Sequence, residues 1–282
     1  MDKVYPDILT HLAEADGIVV GASNGLSISE GVHIFADDMA FAQHFGDFRE
    51  RHGFRSIIRG CFHPFPSEEE KWAFFSRMHG YFLKDGQPSQ VMRDLFKLVN
   101  GRNYFVVTSN IDAHFAQAGF DPARLFEIEG NCRNLQCASA CHDQLYPGDE
   151  RLAQMALEQR DGNVPQELVP RCPECGGPMQ VHIEVDRNFL KGAAWQARRQ
   201  ACVDFLEGRH GKKTVFLELG VGAGNQLIKA PFMQIVSQEP HATYVTLNRG
   251  RELYIPDEIA DKSIGIDGDI ASVLRHLAML SQ

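Results

Sequence analysis

Two polar side chains that can do chemistry stand shortly after an apolar, strand-like run at residues 104–107. They are Asn110 and Asp112, and the residues that follow, 113–119, have a helix-like pattern. A strand that passes straight into a helix places such side chains at its carboxyl end, where open α/β sheets bind their ligands. Asn110 or Asp112 could instead start the helix as a cap, which is a purely structural role.

Four of the seven cysteines form two close pairs about thirty residues apart. A tetrahedral zinc ion can take four thiolates from such pairs, and a closed shell of this kind leaves no open position for catalysis. We therefore predict a structural zinc site with the ligands Cys137, Cys141, Cys172 and Cys175. His142 is an alternative ligand, although adjacent residues rarely both reach one metal. The other cysteines are interpreted as small buried or half-buried side chains; they are Cys61, Cys132 and Cys202.

A turn rich in glycine and serine follows a second strand-like run, at residues 17–20, and leads toward a helix. Small residues let backbone N–H groups approach a pyrophosphate, and the start of a helix adds partial positive charge. Because many strand-to-helix turns contain glycine, this turn indicates a dinucleotide site only together with other signals. Its candidate cofactor contacts are Gly21, Ala22, Ser23, Gly25, Leu26 and Ser27.

Alternating strand-like and helix-like segments at both ends of the chain are typical of a parallel sheet covered by helices. We therefore expect an α/β fold with a parallel-sheet domain of the Rossmann type formed by residues 1–31, 82–130 and 188–282. Residues 131–187 lose this rhythm and gain cysteine and proline, as expected for a zinc-binding module. Residues 32–81 are rich in phenylalanine and histidine, and we interpret them as a cofactor loop and a helical segment of the small domain. Most of these aromatic side chains are expected to form a helical core.

The net charge of −9 and the pI of about 5.7 exclude some partners. Duplex binding relies on clustered lysine and arginine, so no nucleic-acid partner is expected. No apolar stretch is long enough to span a membrane, and Asp2, Pro6 and Asp7 interrupt the amino-terminal segment where a signal peptide would be apolar. The expected location is therefore cytoplasmic, without a membrane partner.

Taken in chain order, these motifs resemble the sirtuin family, zinc-bearing enzymes that consume NAD. Residues 108–119 (TSNIDAHFAQAG) resemble the family's T-x-N-I-D…A-G signature, and residues 127–130 (EIEG) resemble its E-L-H-G. The long glycine turn and the C-x3-C spacing resemble the class M, macrodomain-linked sirtuins. The resemblance implies a sirtuin-type Rossmann parallel-sheet domain with a smaller zinc-binding plus helical domain, and NAD bound between the two as co-substrate.

By this resemblance, Asn110 and Asp112 contact the nicotinamide ribose and the nicotinamide, and Glu129 is the third catalytic candidate. Sirtuins have a histidine general base where this chain has Glu129. An ordinary carboxylate, with a pKa of about 4, accepts a hydroxyl proton poorly, so deacylation is expected to be weak or absent. Glu129 could hold a ribose hydroxyl, could have a raised pKa near Asp112, or could simply face water. The further implied cofactor contacts are Ser109, Gly220, Val221, Gly222, Asn225, Asn248, Asp269 and Ile270.

The resemblance implies an NAD-dependent protein ADP-ribosyltransferase that releases nicotinamide. Its implied acceptor is a lipoyl-carrier protein, and its implied partner is a macrodomain hydrolase that removes the modification. One alternative is NAD hydrolysis or weak NAD-dependent deacylation. A second is a non-catalytic NAD-sensing module, because this chain lacks the family histidine and has Ala36 where an arginine is usual.

Overall fold

Four apolar runs of the sequence, at residues 17–20, 104–107, 215–219 and 244–247, become four neighbouring strands in the computed structural model, which describes residues 4–83 and 86–281. In chain order the strands are β1 (Gly17–Ala22), β2 (Tyr104–Thr108), β3 (Leu125–Glu127), β4 (Gly130–Cys137), β5 (Tyr146–Pro147), β6 (Met179–Ile183), β7 (Thr214–Leu219), β8 (Ala242–Asn248) and β9 (Ser263–Asp267). Six of them form a parallel sheet in the order β3-β2-β1-β7-β8-β9. The predicted α/β fold with a parallel Rossmann sheet is therefore confirmed.

Helices cover both faces of this sheet, which explains why the strands β1, β2 and β7 are buried along their whole length. In chain order the helices are α1 (Val4–Glu14), α2 (Asn24–Ser29), α3 (Met39–His52), α4 (Ile57–Cys61), α5 (Glu68–Phe82), α6 (Gln90–Val99), α7 (His114–Gln117), α8 (Asp149–Glu158), α9 (Ala193–Glu207), α10 (Lys229–Gln238) and α11 (Ile270–Leu280). On one face, Ile18 and Val20 share a core with α1, α6 and α11. On the other face, Val19 packs with residues of α9 and α10.

The smaller part of the molecule has one core to which two sequence segments contribute. Phe45, Phe48 and Phe74 come from the helical segment α3–α5, and Leu135 and Met155 come from the segment that holds the cysteine pairs. The latter segment contains α8 and an antiparallel sheet in the order β5-β4-β6. The aromatic helical core expected from the sequence is present, although two members of the segment, Phe35 and Phe62, are exposed.

Within residues 4–83 and 86–281, no helix is both long enough and apolar enough to cross a membrane. Asp2, one of the residues that interrupt the amino-terminal segment, lies outside the described residues.

The turn after β1 and the turn after β7 touch each other through two glycines. The Gly25 N–H donates to the Gly220 carbonyl at 3.0 Å. A Cβ on Gly220 would lie 2.4 Å from Gly25 backbone atoms, and Gly220 has a φ of 63°, in the left-handed region. Both positions therefore require glycine, because no side chain fits between the two turns.

We expect Gly220→Ala to lower the free energy of unfolding by several kcal/mol. A left-handed φ costs an alanine about 1–2 kcal/mol, and the clash with Gly25 adds about 1–3 kcal/mol. Gly211→Ala is the matched control, because Gly211 has a φ of 69° but a Cβ there would meet none of the described residues within 4 Å. Urea denaturation measures both variants, and equal losses would contradict the close packing described here.

Candidate active site

Parallel register brings the predicted polar segments to one edge of the sheet. Ala22, the last residue of β1, pairs with Thr108 of β2 on one side and with Leu219 of β7 on the other. Thr108 in turn pairs with Glu127, the last residue of β3. The turns that follow these strands therefore lie side by side at the carboxyl edge, where open α/β sheets bind ligands.

Asn110 is buried at this edge with one half of its amide unsatisfied. Its Nδ2 donates to the Ser23 carbonyl at 3.2 Å, and beside it the Ser109 hydroxyl donates to the Ser23 hydroxyl at 3.0 Å. Its Oδ1 has no hydrogen-bond partner among the described residues, although Asn110 is only 4% exposed. A buried, unpaired acceptor is costly, so this atom is suited to accept a hydrogen bond from a bound hydroxyl or water.

Asp112 lies two residues after Asn110 in the same turn, and both of its carboxylate oxygens accept hydrogen bonds. The Ser27 hydroxyl donates to Oδ2 at 2.5 Å, and the His114 backbone N–H donates to Oδ1 at 3.0 Å. The second contact is the local turn that the capping interpretation expected. The first contact is different, because it ties Asp112 to the glycine-rich turn 85 residues earlier in the chain.

The glycine-rich turn itself is closed by internal contacts. The Gly25 N–H binds the Gly220 carbonyl, and the Leu26 N–H binds the Ser23 carbonyl at 2.9 Å. Before it, Gly21 packs so tightly that a Cβ would lie 2.4 Å from the Phe232 ring. Two backbone donors that were expected to bind a pyrophosphate are thus engaged within the protein, and the side chains of Ala22, Ser23 and Ser27 are buried.

The carboxyl-terminal candidates lie at the same edge and hold their own loops in place. Asn248 Nδ2 donates to the Val221 carbonyl at 2.8 Å, which fixes the segment from Gly220 to Gly222. Asn225 Oδ1 accepts the Ile228 N–H at 2.7 Å. Asp269 caps α11 by accepting the Ser272 N–H at 2.9 Å, and the adjoining Ile270 is buried.

Glu129 is half-buried in the link between β3 and β4, and its neighbours are not those expected. Burial and the carboxylate of Glu184 raise its pKa, while Lys191 opposes that shift. Its backbone carbonyl accepts the Glu184 N–H at 3.0 Å. The pKa is therefore raised as one interpretation expected, but the charge responsible belongs to Glu184 and not to Asp112.

Glu127, which the sequence motifs did not single out, is the acid that the structure brings near Asp112. Burial raises the pKa of Glu127 to about 7, with a further increase from the Asp112 carboxylate. A hydrogen bond from Asn131 Nδ2 to Oε2 at 2.5 Å and the charge of Arg133 oppose this rise. Its position as the last residue of an edge strand was the available signal, but a three-residue strand is hard to recognise in a sequence.

His114 is a second functional candidate that the sequence motifs did not reveal. Its Nδ1 lies 2.9 Å from a carboxylate oxygen of Glu30 and 3.8 Å from one of Asp112, and its Nε2 lies 3.0 Å from the Phe82 carbonyl. Burial favours the neutral ring, but the Asp112 and Glu30 carboxylates outweigh it and raise the pKa of His114 to about 9. The positive charge of the buried imidazolium therefore offsets the negative charges of the Glu30 and Asp112 carboxylates.

A buried polar group supports the turn after β7. Lys229 Nζ donates to Glu218 at 2.8 Å, and both side chains are fully buried. The Thr246 hydroxyl donates to the same carboxylate at 2.8 Å, and the Tyr244 hydroxyl donates to its other oxygen. This pair joins the start of α10 to β7, which ends one residue before Gly220, and breaking it would leave an uncompensated buried charge.

The cysteine pairs come together at one point. Cys137 Sγ lies 3.7 Å from Cys175 Sγ, and Cys141 Sγ lies 3.7 Å from Cys172 Sγ. His142 Nδ1 lies 3.1 Å from Cys141 Sγ and belongs to the same group. Four thiols and an imidazole can therefore hold a metal ion here.

The fold and site together define a Rossmann-type protein whose chain also carries a cluster of cysteines that could hold a metal ion. A family model described as the Sir2 family matches residues 25–195, more than half of the chain. A protein ADP-ribosyltransferase of Staphylococcus aureus is 33% identical over 267 residues, which cover 94% of this chain and 84% of that protein. The chain belongs to the Sir2 family.

Further comparisons agree with this membership. A probable bifunctional ADP-ribose hydrolase/ADP-ribosyltransferase of Fusarium oxysporum f. sp. cubense is 27% identical over 281 residues. These residues cover 93% of this chain but 46% of that relative, so the chain spans less than half of its length. A crystal structure of a Sir2 homologue with NAD gives a TM-score of 0.65 at 16% identity, covering 98% of this chain and 95% of that chain. A structure on sirtuin substrate affinity gives 0.64 at 18% identity, covering 98% of each chain.

We expect His114→Gln to change how stability depends on pH. Because the folded-state pKa of His114 is raised to about 9, its stabilising charge is fully present below the unfolded pKa of about 6.5. The advantage of the wild type over the variant, about 1–3 kcal/mol at pH 6, should therefore fall as the pH rises from about 6.5 through about 9. Urea denaturation across this range measures it. His241→Gln, at an exposed position, is the control. A difference in the free energy of unfolding between the wild type and His114→Gln that does not change with pH would contradict a charged His114 beside Glu30 and Asp112.

Proposed function

We infer that this protein is an NAD-dependent protein ADP-ribosyltransferase of the sirtuin type, which transfers ADP-ribose to a protein acceptor and releases nicotinamide. The main observation behind this proposal is the buried pair Asn110 and Asp112. Asn110 Oδ1 has no hydrogen-bond partner among the described residues, and hydrogen bonds to both carboxylate oxygens hold Asp112 in place. The name of the Staphylococcus aureus relative supports the same activity.

The residues present fit NAD at the carboxyl edge of the sheet. NAD supplies an ADP-ribosyl group joined to a cationic nicotinamide, which is the leaving group. Asn110 would accept a hydrogen bond from a ribose hydroxyl or water, and Asp112 would contact the nicotinamide. Positive charge develops on the ribose as the glycosidic bond breaks, and preorganised carboxylates stabilise such charge in a site that excludes water.

Deacylation is a weaker proposal for this site. The usual imidazole relay is absent, and Glu129, which takes its place, interacts with Glu184 and Lys191. We propose that Glu129 contributes to the ribose side of the site, as the sequence resemblance implies, without acting as an efficient relay.

We further propose a class M assignment, a lipoyl-carrier protein as acceptor and a macrodomain hydrolase as partner. The Fusarium oxysporum relative supports the pairing with a hydrolase, because its name joins ADP-ribose hydrolase and ADP-ribosyltransferase in one protein. The lipoyl-carrier acceptor rests on the resemblance of the sequence motifs.

We also propose that the thiol cluster binds a structural zinc ion. A zinc–sulfur bond of about 2.3 Å places the sulfurs of a tetrahedral site about 3.8 Å apart. The two sulfur–sulfur distances of 3.7 Å agree with this spacing. Four thiolates would fill the coordination shell, so the ion would hold the small module together and take no part in the transfer.

Asn110→Ala should lower nicotinamide release from NAD by about a hundredfold, because the variant loses a preorganised contact to the reacting ribose. The measurement is incubation of the purified protein with labelled NAD and a purified lipoyl-carrier protein. Label on the carrier indicates transfer, free ADP-ribose indicates hydrolysis, and O-acyl-ADP-ribose from an acylated peptide indicates deacylation. Asn100→Ala, at an exposed position, is the control. NAD binding without any nicotinamide release by the wild type would favour the sensing module.

The purified protein should contain about one zinc ion per chain. Cys175→Ser should lose most of the zinc and unfold at a lower temperature, whereas Cys202→Ser and His142→Ala should keep the ion. Elemental analysis and thermal denaturation measure these changes. Retention of zinc by Cys175→Ser together with its loss from His142→Ala would show that the imidazole is the fourth ligand.

A further inference from the structure

A cavity of about 520 Å³ opens beside the edge strand β3, outside the group of predicted cofactor residues. Its walls come from β3, from β4 and from α9, with Trp195 of α9 on one side and His182 of β6 on another. This volume lies in the range of sites that hold a side chain or small ligand. Glu127 and Asn131 line the cavity, and Asn110, Asp112 and Glu129 do not.

Glu127 connects this cavity to the candidate active site. It is the last residue of β3 and pairs with Thr108, two residues before Asn110. The Asp112 carboxylate also raises the pKa of Glu127, so the charges of the two acids interact. A group bound in the cavity would therefore contact Glu127, whose strand ends beside the start of the turn that holds Asn110 and Asp112.

The carboxylate of Glu127 is fixed on one side only. Asn131 donates to Oε2, and Asn131 Oδ1 is itself held by the Arg133 backbone N–H at 3.0 Å. Among the residues that the structure describes, none donates a hydrogen bond to Oε1. One oxygen is thus positioned by the protein while the other is available to a molecule in the cavity.

We propose that the acceptor side chain enters through this cavity and that Glu127 is a catalytic residue that takes the acceptor's proton. This inference rests on the proposed ADP-ribosyl transfer. In that step the bond between the ribose carbon C1″ and the nicotinamide nitrogen breaks, and its electron pair stays on nicotinamide. A lone pair of the acceptor atom forms the new bond to C1″, and the proton that this atom loses passes to the Glu127 carboxylate.

The environment of Glu127 suits this role. Its pKa of about 7, raised by burial and by Asp112, makes it a stronger base than an ordinary carboxylate while a substantial fraction stays ionised near neutral pH. Glu129, two residues later, interacts electrostatically with Glu184 and Lys191 and does not line the cavity. The acceptor class that follows is a side chain whose nucleophilic atom carries a proton at neutral pH, since a base has nothing to remove from an anion.

The test compares methanol with azide as small acceptors for the full chain with NAD. Methanol must lose a proton, whereas azide is already an anion. Glu127→Gln should lower the formation of ADP-ribose and methyl ADP-ribose by about a hundredfold. Azide should restore nicotinamide release and give ADP-ribosyl azide. Glu258→Gln, an exposed acid far along the chain, should behave as the wild type.

Several outcomes would overturn the proposal. The first is a Glu127→Gln variant that is as active as the wild type with methanol. The second is a Glu127→Gln variant whose nicotinamide release azide does not restore. The third is restoration of activity by azide in Glu129→Gln and not in Glu127→Gln. Glu127→Ala, which leaves room for azide, is the second variant if the glutamine form does not fold, and circular dichroism checks both. A wild-type protein that releases no nicotinamide with water, methanol or azide would instead refute the proposed function, because even the step that needs no base would be missing.

Discussion

The parallel register of β1 between β2 and β7 is the constraint on which the site depends. Ala22 pairs with Thr108 and Leu219, so the three following turns begin at the same level of the sheet. The contact between Gly25 and Gly220 then closes two of those turns against each other, and the bond from Ser27 to Asp112 joins the first turn to the second. Residues more than a hundred positions apart are thus fixed relative to one another by backbone hydrogen bonds, before any ligand is considered.

Charge balance is the second requirement of this arrangement. Glu30, Asp112 and Glu127 place three acids in a largely buried region, and burial of carboxylates without partners is costly. The positive charge of the His114 imidazolium offsets the negative charges of Glu30 and Asp112, while the pKa of Glu127 is raised. A site with this excess of acidic groups favours a ligand that carries or develops positive charge, which is the electrostatic demand of a nicotinamide glycoside.

The sequence predicts the large elements well and the short ones poorly, for a physical reason. Strands buried on both faces, such as β1 and β7, appear as continuous apolar runs, and close cysteine pairs reveal a metal-type cluster without any structure. The edge strand β3 has only three residues, so its pattern is too short to show which side chain ends at the active edge. The family motif therefore points to Glu129, whereas strand register places Glu127 opposite Thr108, where the turn that holds Asp112 begins. His114 was hidden for a similar reason, because its partner Glu30 lies 84 residues away.

The turn at Gly130 explains why two acids so close in sequence meet such different surroundings. Gly130 has a φ of 76°, and a Cβ there would lie 2.0 Å from the His182 carbonyl, so this position requires glycine. Here the chain, having left β3, enters β4. Glu127 stays with the Rossmann sheet and its acids, while Glu129 is drawn toward the extension of β6 by the bond from the Glu184 N–H. Environment sets the role of a carboxylate more than its place in a motif does. Glu129 thus stands where the family has a histidine, while Glu127, two residues earlier, has a pKa raised by burial and by the Asp112 carboxylate.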